Sequence, residues 1–184
     1  NGPCSSGITS DQVVIRLFDE NNPVADAGPD QELCSSAPVT NMQGSAIIAP
    51  ASGHWQLVSG SGTLADPTSP TTQVTDLAIG ENIFLWTVTN GPCANSLTDD
   101  LVTIYVFDEN NPDASAGADQ QVCTPVTQAI MEGSSYTFPA TGTWTLVSGQ
   151  GTIADPTNPV GVITDLGIGV NTFRWEVYNG GCAN

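Results

Sequence analysis

The chain has 184 residues, and 19 Asp and Glu against 2 Lys and Arg leave a net charge of -17. Acidity this one-sided excludes nucleic acid, whose phosphates require clustered Lys and Arg, and opposes docking on anionic lipid. The only cations are Arg16 and Arg174, so lysine-based Schiff-base and P-loop chemistry are excluded, and no apolar run approaches the roughly 18 residues that cross a bilayer.

In chain order, the first β-prone run is Gln12 to Phe18. Strands are next expected around 31–34, 39–48 and 72–75, with His54-Trp55-Gln56-Leu57 between the last two. Phe84-Leu85-Trp86-Thr87-Val88 and the long run Leu101 to Phe107 complete the set. Turn clusters separate them, among them Ser59-Gly60-Ser61-Gly62, Asp66-Pro67 and Asn90-Gly91-Pro92. No segment carries a helical period.

Most of these features recur at an offset of 89 residues. Phe18-Asp19-Glu20-Asn21-Asn22-Pro23 returns as Phe107-Asp108-Glu109-Asn110-Asn111-Pro112. Trp55 maps to Trp144, Trp86 to Trp175, Cys34 to Cys123 and Cys93 to Cys182. Asn1-Gly2-Pro3-Cys4 matches Asn90-Gly91-Pro92-Cys93, so the first residues read as the middle of a longer chain. Between copies, Phe84, Trp86 and Val88 are kept in Phe173, Trp175 and Val177, whereas Leu85 becomes Arg174 and Thr87 becomes Glu176. One fixed apolar face with period two is a half-buried strand. About seven short strands in about 90 residues predict an all-β fold of tandem immunoglobulin-like sandwiches.

The expected organisation is a final strand of a preceding repeat over residues 1–21, a complete repeat over 22–110 and a following repeat over 111–184 lacking its last strand. Two arrangements satisfy the unpaired edge. The chain is a window on a continuous array, or the N-terminal strand of one copy completes the C-terminal unit of another by donor-strand addition.

Five cysteines occupy positions 4, 34, 93, 123 and 182 without a C-x-x-C or Cys/His cluster, which argues against zinc. Pairing inside one repeat predicts Cys34–Cys93 and Cys123–Cys182, with Cys4 paired outside this window. Such disulfides imply an oxidising, extracellular setting. Calcium is the one credible cofactor. Asp19, Glu20, Asn21 and Asp26 cluster at one junction, and Asp108, Glu109, Asn110 and Asp113 at the next, offering the oxygen ligands a hard cation takes. The competing reading is that Asp and Asn supply turns before proline.

Catalysis is poorly supported. His54, the only histidine, is replaced by Thr143 in the second copy and falls on an outward face. No nucleophile elbow, zincin or Walker motif occurs. Trp55, Trp86, Trp144 and Trp175 are assigned to the core rather than to a sugar-binding face.

The motifs Ala25-Asp26-Ala27-Gly28-Pro29-Asp30-Gln31-Glu32-Leu33-Cys34, Gly53-His54-Trp55, Asp66-Pro67, Asn82 to Trp86 and Asn90-Gly91-Pro92-Cys93 resemble the PKD-like or immunoglobulin-like repeats of giant bacterial cell-surface adhesins, the type IX-secreted kind of gliding bacteria. The resemblance spans nearly the whole chain. It implies export, a cell-surface location and a structural role in an adhesin stalk or filament. Its partners would be neighbouring repeats or other copies. The alternative is a ligand-binding module for surface polysaccharide, with recognition carried by loops such as 35–43 or 56–63.

Overall fold

The computed structural model describes residues 9–22, 24–93, 96–111 and 113–182. These residues form an all-β structure in which two immunoglobulin-like sandwiches follow one another. The first contains β1 (Gln31–Cys34), β2 (Thr40–Asn41), β3 (Ser52–Ser59), β4 (Thr63–Leu64), β5 (Gln73–Thr75), β6 (Gly80–Thr89) and β7 (Leu97–Phe107). The second contains β8 (Ala129–Ile130), β9 (Thr141–Ser148), β10 (Thr152–Ile153), β11 (Val162–Thr164) and β12 (Thr172–Tyr178).

In the first sandwich, a sheet of order β1-β7-β6-β3 faces a sheet of order β2-β5-β4. The alternation read from the sequence sets the faces. Along β6, Phe84, Trp86 and Val88 are buried, as are Val102, Ile104 and Val106 along β7. They meet Met42 and Val74 of the other sheet in one core. Trp55 and Trp86 sit opposite each other in the β3–β6 ladder, with ring centroids 4.9 Å apart. Gly53 is required beside them, since a Cβ there would come within 2.3 Å of the Trp86 ring. Buried Asn82 fixes the turn into β6: its side-chain amide donates to the Ala78 and Ile104 carbonyls, and its oxygen accepts from Ser61 N.

The second sandwich repeats this plan incompletely. Trp144 and Trp175 stack 5.0 Å apart across the β9–β12 ladder, above Met131 and Ile163. The counterpart of the four-stranded sheet holds only β12 and β9 among the described residues. Among the described residues no counterpart of β1 or β7 pairs beside β12, and Phe173 and Val177 are half-buried where Phe84 and Val88 are buried.

Two strand expectations fail. The 39–48 run is a strand only at Thr40–Asn41, because the chain there bends around Trp55 and Trp86 to pack Met42 and Gly44. The run Gln12 to Phe18 pairs with no strand among the described residues, and Val13, Ile15 and Leu17 are each more than four-fifths exposed. β-propensity without a neighbouring ladder does not make a strand.

Candidate functional site: the junction between the sandwiches

The β6–β7 ladder sets the two ends of the first sandwich. It runs from Gly80 opposite Val106 to Thr89 opposite Leu97, roughly 30 Å at about 3.3 Å per residue. Parallel pairing of β1 with β7 puts Cys34 beside Phe107, at the end where the chain leaves the sandwich. Cys93 follows Asn90 and Gly91 in the hairpin at the opposite end. One disulfide cannot span that distance, since bonded cysteines keep Cα atoms within about 7 Å.

The expected pairs Cys34–Cys93 and Cys123–Cys182 are therefore replaced by Cys34–Cys182, with Cα atoms 5.6 Å apart and 148 residues between them. The bond joins the exit end of the first sandwich to the entry-end hairpin of the second. Cys93 and Cys123 are free thiols, the former half-buried and the latter exposed. Cys4 lies outside the described residues.

Asparagines line the path between the sandwiches. Asn179 is buried and donates to the Asp108 carbonyl at 3.0 Å, while its oxygen accepts from Asn111 Nδ2 at 2.7 Å. Asn111 Oδ1 in turn accepts from Thr137 N at 2.7 Å. Gly180, at φ 60°, lies under the Phe107 ring, where a Cβ would stand 2.8 Å from ring carbons. On the other side, Glu109 Oε2 accepts from Ser36 N at 2.8 Å, and Glu109 N donates to Ser35 Oγ at 3.1 Å. The linker is thus tied to β1 behind it and to the β12 hairpin ahead.

Tyr178 closes one flank. Its ring meets Phe107 edge-on at 6.2 Å, and its hydroxyl donates to Glu32 Oε2 at 3.2 Å. That hydrogen bond, and then the negative charge of Glu32, raise the Tyr178 pKa above its ordinary value. A shallow crevice of about 360 Å³ lies here, lined by Glu32, Glu81, Tyr105, Phe107, Phe138 and Tyr178 among others.

The same seat exists one repeat earlier. Asn90 Nδ2 donates to the Asp19 carbonyl at 2.8 Å, Phe18 covers Gly91, and Cys93 Sγ lies 3.7 Å from the Phe18 carbonyl. The turn Phe18-Asp19 therefore sits on the first sandwich as Phe107-Asp108 sits on the second.

The expected calcium ligands do not converge. Asp19 Oδ1 accepts from Asn21 N and Nδ2, and Asp108 Oδ1 accepts from Asn110 N and Nδ2. These carboxylates brace turns. Asp26 caps Gly28 N, Glu109 binds Ser36 N, and Glu20 and Asp113 are exposed. Among the described residues, no three acidic, His or Cys side chains gather around a common point. His54 is exposed on β3, opposite Thr87. Sequence reasoning missed the buried asparagines, which it assigned to turns. Their identity in both copies, 22 with 111 and 90 with 179, was the available signal.

No family model and no curated protein matches this chain. Among solved structures, it is similar to the PKD domain from the KIAA 1837 protein, at 28% identity and a TM-score of 0.41, over 50% of this chain and 92% of that domain. The PKD domain of human KIAA0319 is 16% identical with a TM-score of 0.39, covering 53% of this chain and 88% of that domain. The ectodomain of human Desmocollin-1 is 6% identical with a TM-score of 0.33, over 89% of this chain and 37% of that ectodomain.

Proposed function

We propose that the chain is a structural segment of a long extracellular repeat filament or adhesin stalk, as in giant bacterial cell-surface adhesins. The observation that carries this reading is the Cys34–Cys182 bond between successive sandwiches. A disulfide inside one unit protects that unit, whereas one between units protects the connection. Tension applied to the two ends passes from Cys34 directly to Cys182, and the residues enclosed between them bear none of it. The tied linker supports the same reading by limiting bending, and the acidic surface keeps an extended array soluble and self-repelling. Persistence of the bond calls for an oxidising compartment outside the cytosol.

Pulling single molecules by their termini tests this. In the oxidised chain only the residues outside the loop should extend, at about 3.3–3.6 Å each. After reduction, both sandwiches should unravel at lower load. Full unravelling of the oxidised chain would overturn the reading.

The junction crevice favours a second reading, recognition of a surface polysaccharide, because Phe138 and Tyr178 there are 57% and 56% exposed. Chemical-shift changes confined to the crevice on adding oligosaccharides would support it. No change at millimolar sugar would remove it.

A further inference from the structure

The crevice beside Phe107 carries a chemistry that the repeat does not demand. Its floor is the four-stranded sheet of the first sandwich. Glu32 of β1 and Glu81 of β6 each stand opposite Tyr105 of β7. The three side chains therefore share one face in a row of carboxylate, ring and carboxylate, with the outer Cα atoms roughly 10 Å apart at two strand spacings. Phe138 of the second sandwich forms one wall, since a Cβ at Gly80 would stand 4.0 Å from its ring. Tyr178 forms another, and its hydroxyl holds one oxygen of Glu32. At the positions 89 residues away, Phe138 is replaced by Ala49, Tyr178 by Thr89, Glu32 by Gln121 and Glu81 by Val170.

Nothing in the chain neutralises the two carboxylates. There is no lysine, and Arg16 and Arg174 do not line the crevice. The one ion pair among the described residues joins Arg174 to Glu176. A second copy, at a net charge of -17, would be repelled. The matching occupant is therefore a cation from a different molecule, and the row selects its shape. A guanidinium is flat: its face stacks on an aromatic ring while its in-plane N–H groups donate outward to carboxylates on either side. A lysine ammonium is a compact point charge that cannot stack, and a neutral sugar would use the rings and leave the carboxylates unmatched. A volume of about 360 Å³ is near the lower end of ligand sites, which suits a single side chain.

We propose that the crevice docks an arginine side chain of a basic partner protein, stacked on Tyr105 between Glu32 and Glu81. The inference goes beyond the stalk reading, and it gives the crevice an occupant other than polysaccharide. Peptide binding and single-molecule pulling measure separate properties, so either can fail alone.

The test titrates the isotope-labelled 184-residue chain with the peptide acetyl-Gly-Arg-Gly-amide and follows chemical shifts. Saturable changes centred on Glu32, Glu81, Tyr105 and Phe138 are expected. The same peptide with citrulline, which keeps the shape and loses the charge, should give none, and the lysine peptide should bind several-fold more weakly. Glu32→Gln with Glu81→Gln, which keeps an acceptor for the Tyr178 hydroxyl, should weaken binding by about tenfold or more, the worth of a charge-assisted hydrogen bond. Glu20→Gln with Asp113→Asn removes the same charge from exposed positions elsewhere and should leave affinity within about twofold, as expected for screened distant charges. The proposal is overturned if the citrulline or lysine peptide binds as tightly as the arginine peptide, or if the Glu32→Gln/Glu81→Gln variant binds as the parent does. It is also overturned if cellotriose shifts the crevice residues and the arginine peptide does not, an outcome that would support the polysaccharide reading instead.

Discussion

Cys34 and Cys182 are bonded across the boundary between two sandwiches, 148 residues apart in the chain. The bond reinforces a junction that is already built from hydrogen bonds, two of them to the carboxylates of Glu32 and Glu109, and one aromatic contact. Phe107 occupies the centre of that junction, with Cys34 beside it, Gly180 beneath it and Tyr178 at its edge. Removing any one of these contacts has a distinct signature.

Asn179→Ala should weaken the junction most among non-cysteine changes. It leaves the Asp108 carbonyl and the Asn111 amide without their buried partners, at about 1–3 kcal/mol. Calorimetric melting should show the second sandwich unfolding earlier while the first is unaffected. An unchanged second transition would contradict the assignment.

Gly180→Ala tests the backbone at the same point. Alanine at φ 60° is strained by roughly 1 kcal/mol, and its Cβ would also displace the Phe107 ring. Gly181→Ala is the control, because a Cβ there meets nothing within 4 Å. Denaturant midpoints should fall for the first variant and hold for the second.

The core of this arrangement was readable from residues alone. Alternation at Phe84, Trp86 and Val88, kept in the second copy while the intervening residues changed, identified the buried face, and all four tryptophans were assigned to the core; their pairing across the ladder was not. The cysteine pairing was not readable, because identical spacing in each copy is satisfied equally by pairing within a unit and between units. What separates the two is which end of the sandwich each cysteine occupies. That depends on β1 running parallel to β7, a long-range choice that no local pattern encodes. The acidic clusters misled for a related reason. Asp19 and Asp108 each satisfy an Asn two residues on, so carboxylates that are dense in sequence are turned to separate local tasks.

Alkaline pH should loosen the Tyr178 contact. Its pKa in the folded chain lies above the ordinary value of 10.0, with hydrogen bonding to Glu32 the main cause. A group whose pKa is raised on folding contributes stability that is fully present below the unfolded value and lost as pH rises through the folded one. Phenolate absorbance should therefore show Tyr178 ionising above its ordinary value, and Tyr178→Phe should remove that step. A titration curve identical in the two proteins would refute the contact.

The most direct measurement is disulfide mapping of the protein under non-reducing conditions, with proteolytic cleavage between the cysteines and mass analysis of the linked peptides. A peptide containing Cys34 joined to one containing Cys182 is the expected product. Recovery of Cys34 joined to Cys93, or of Cys123 joined to Cys182, would confine the bonds to single sandwiches and contradict the account.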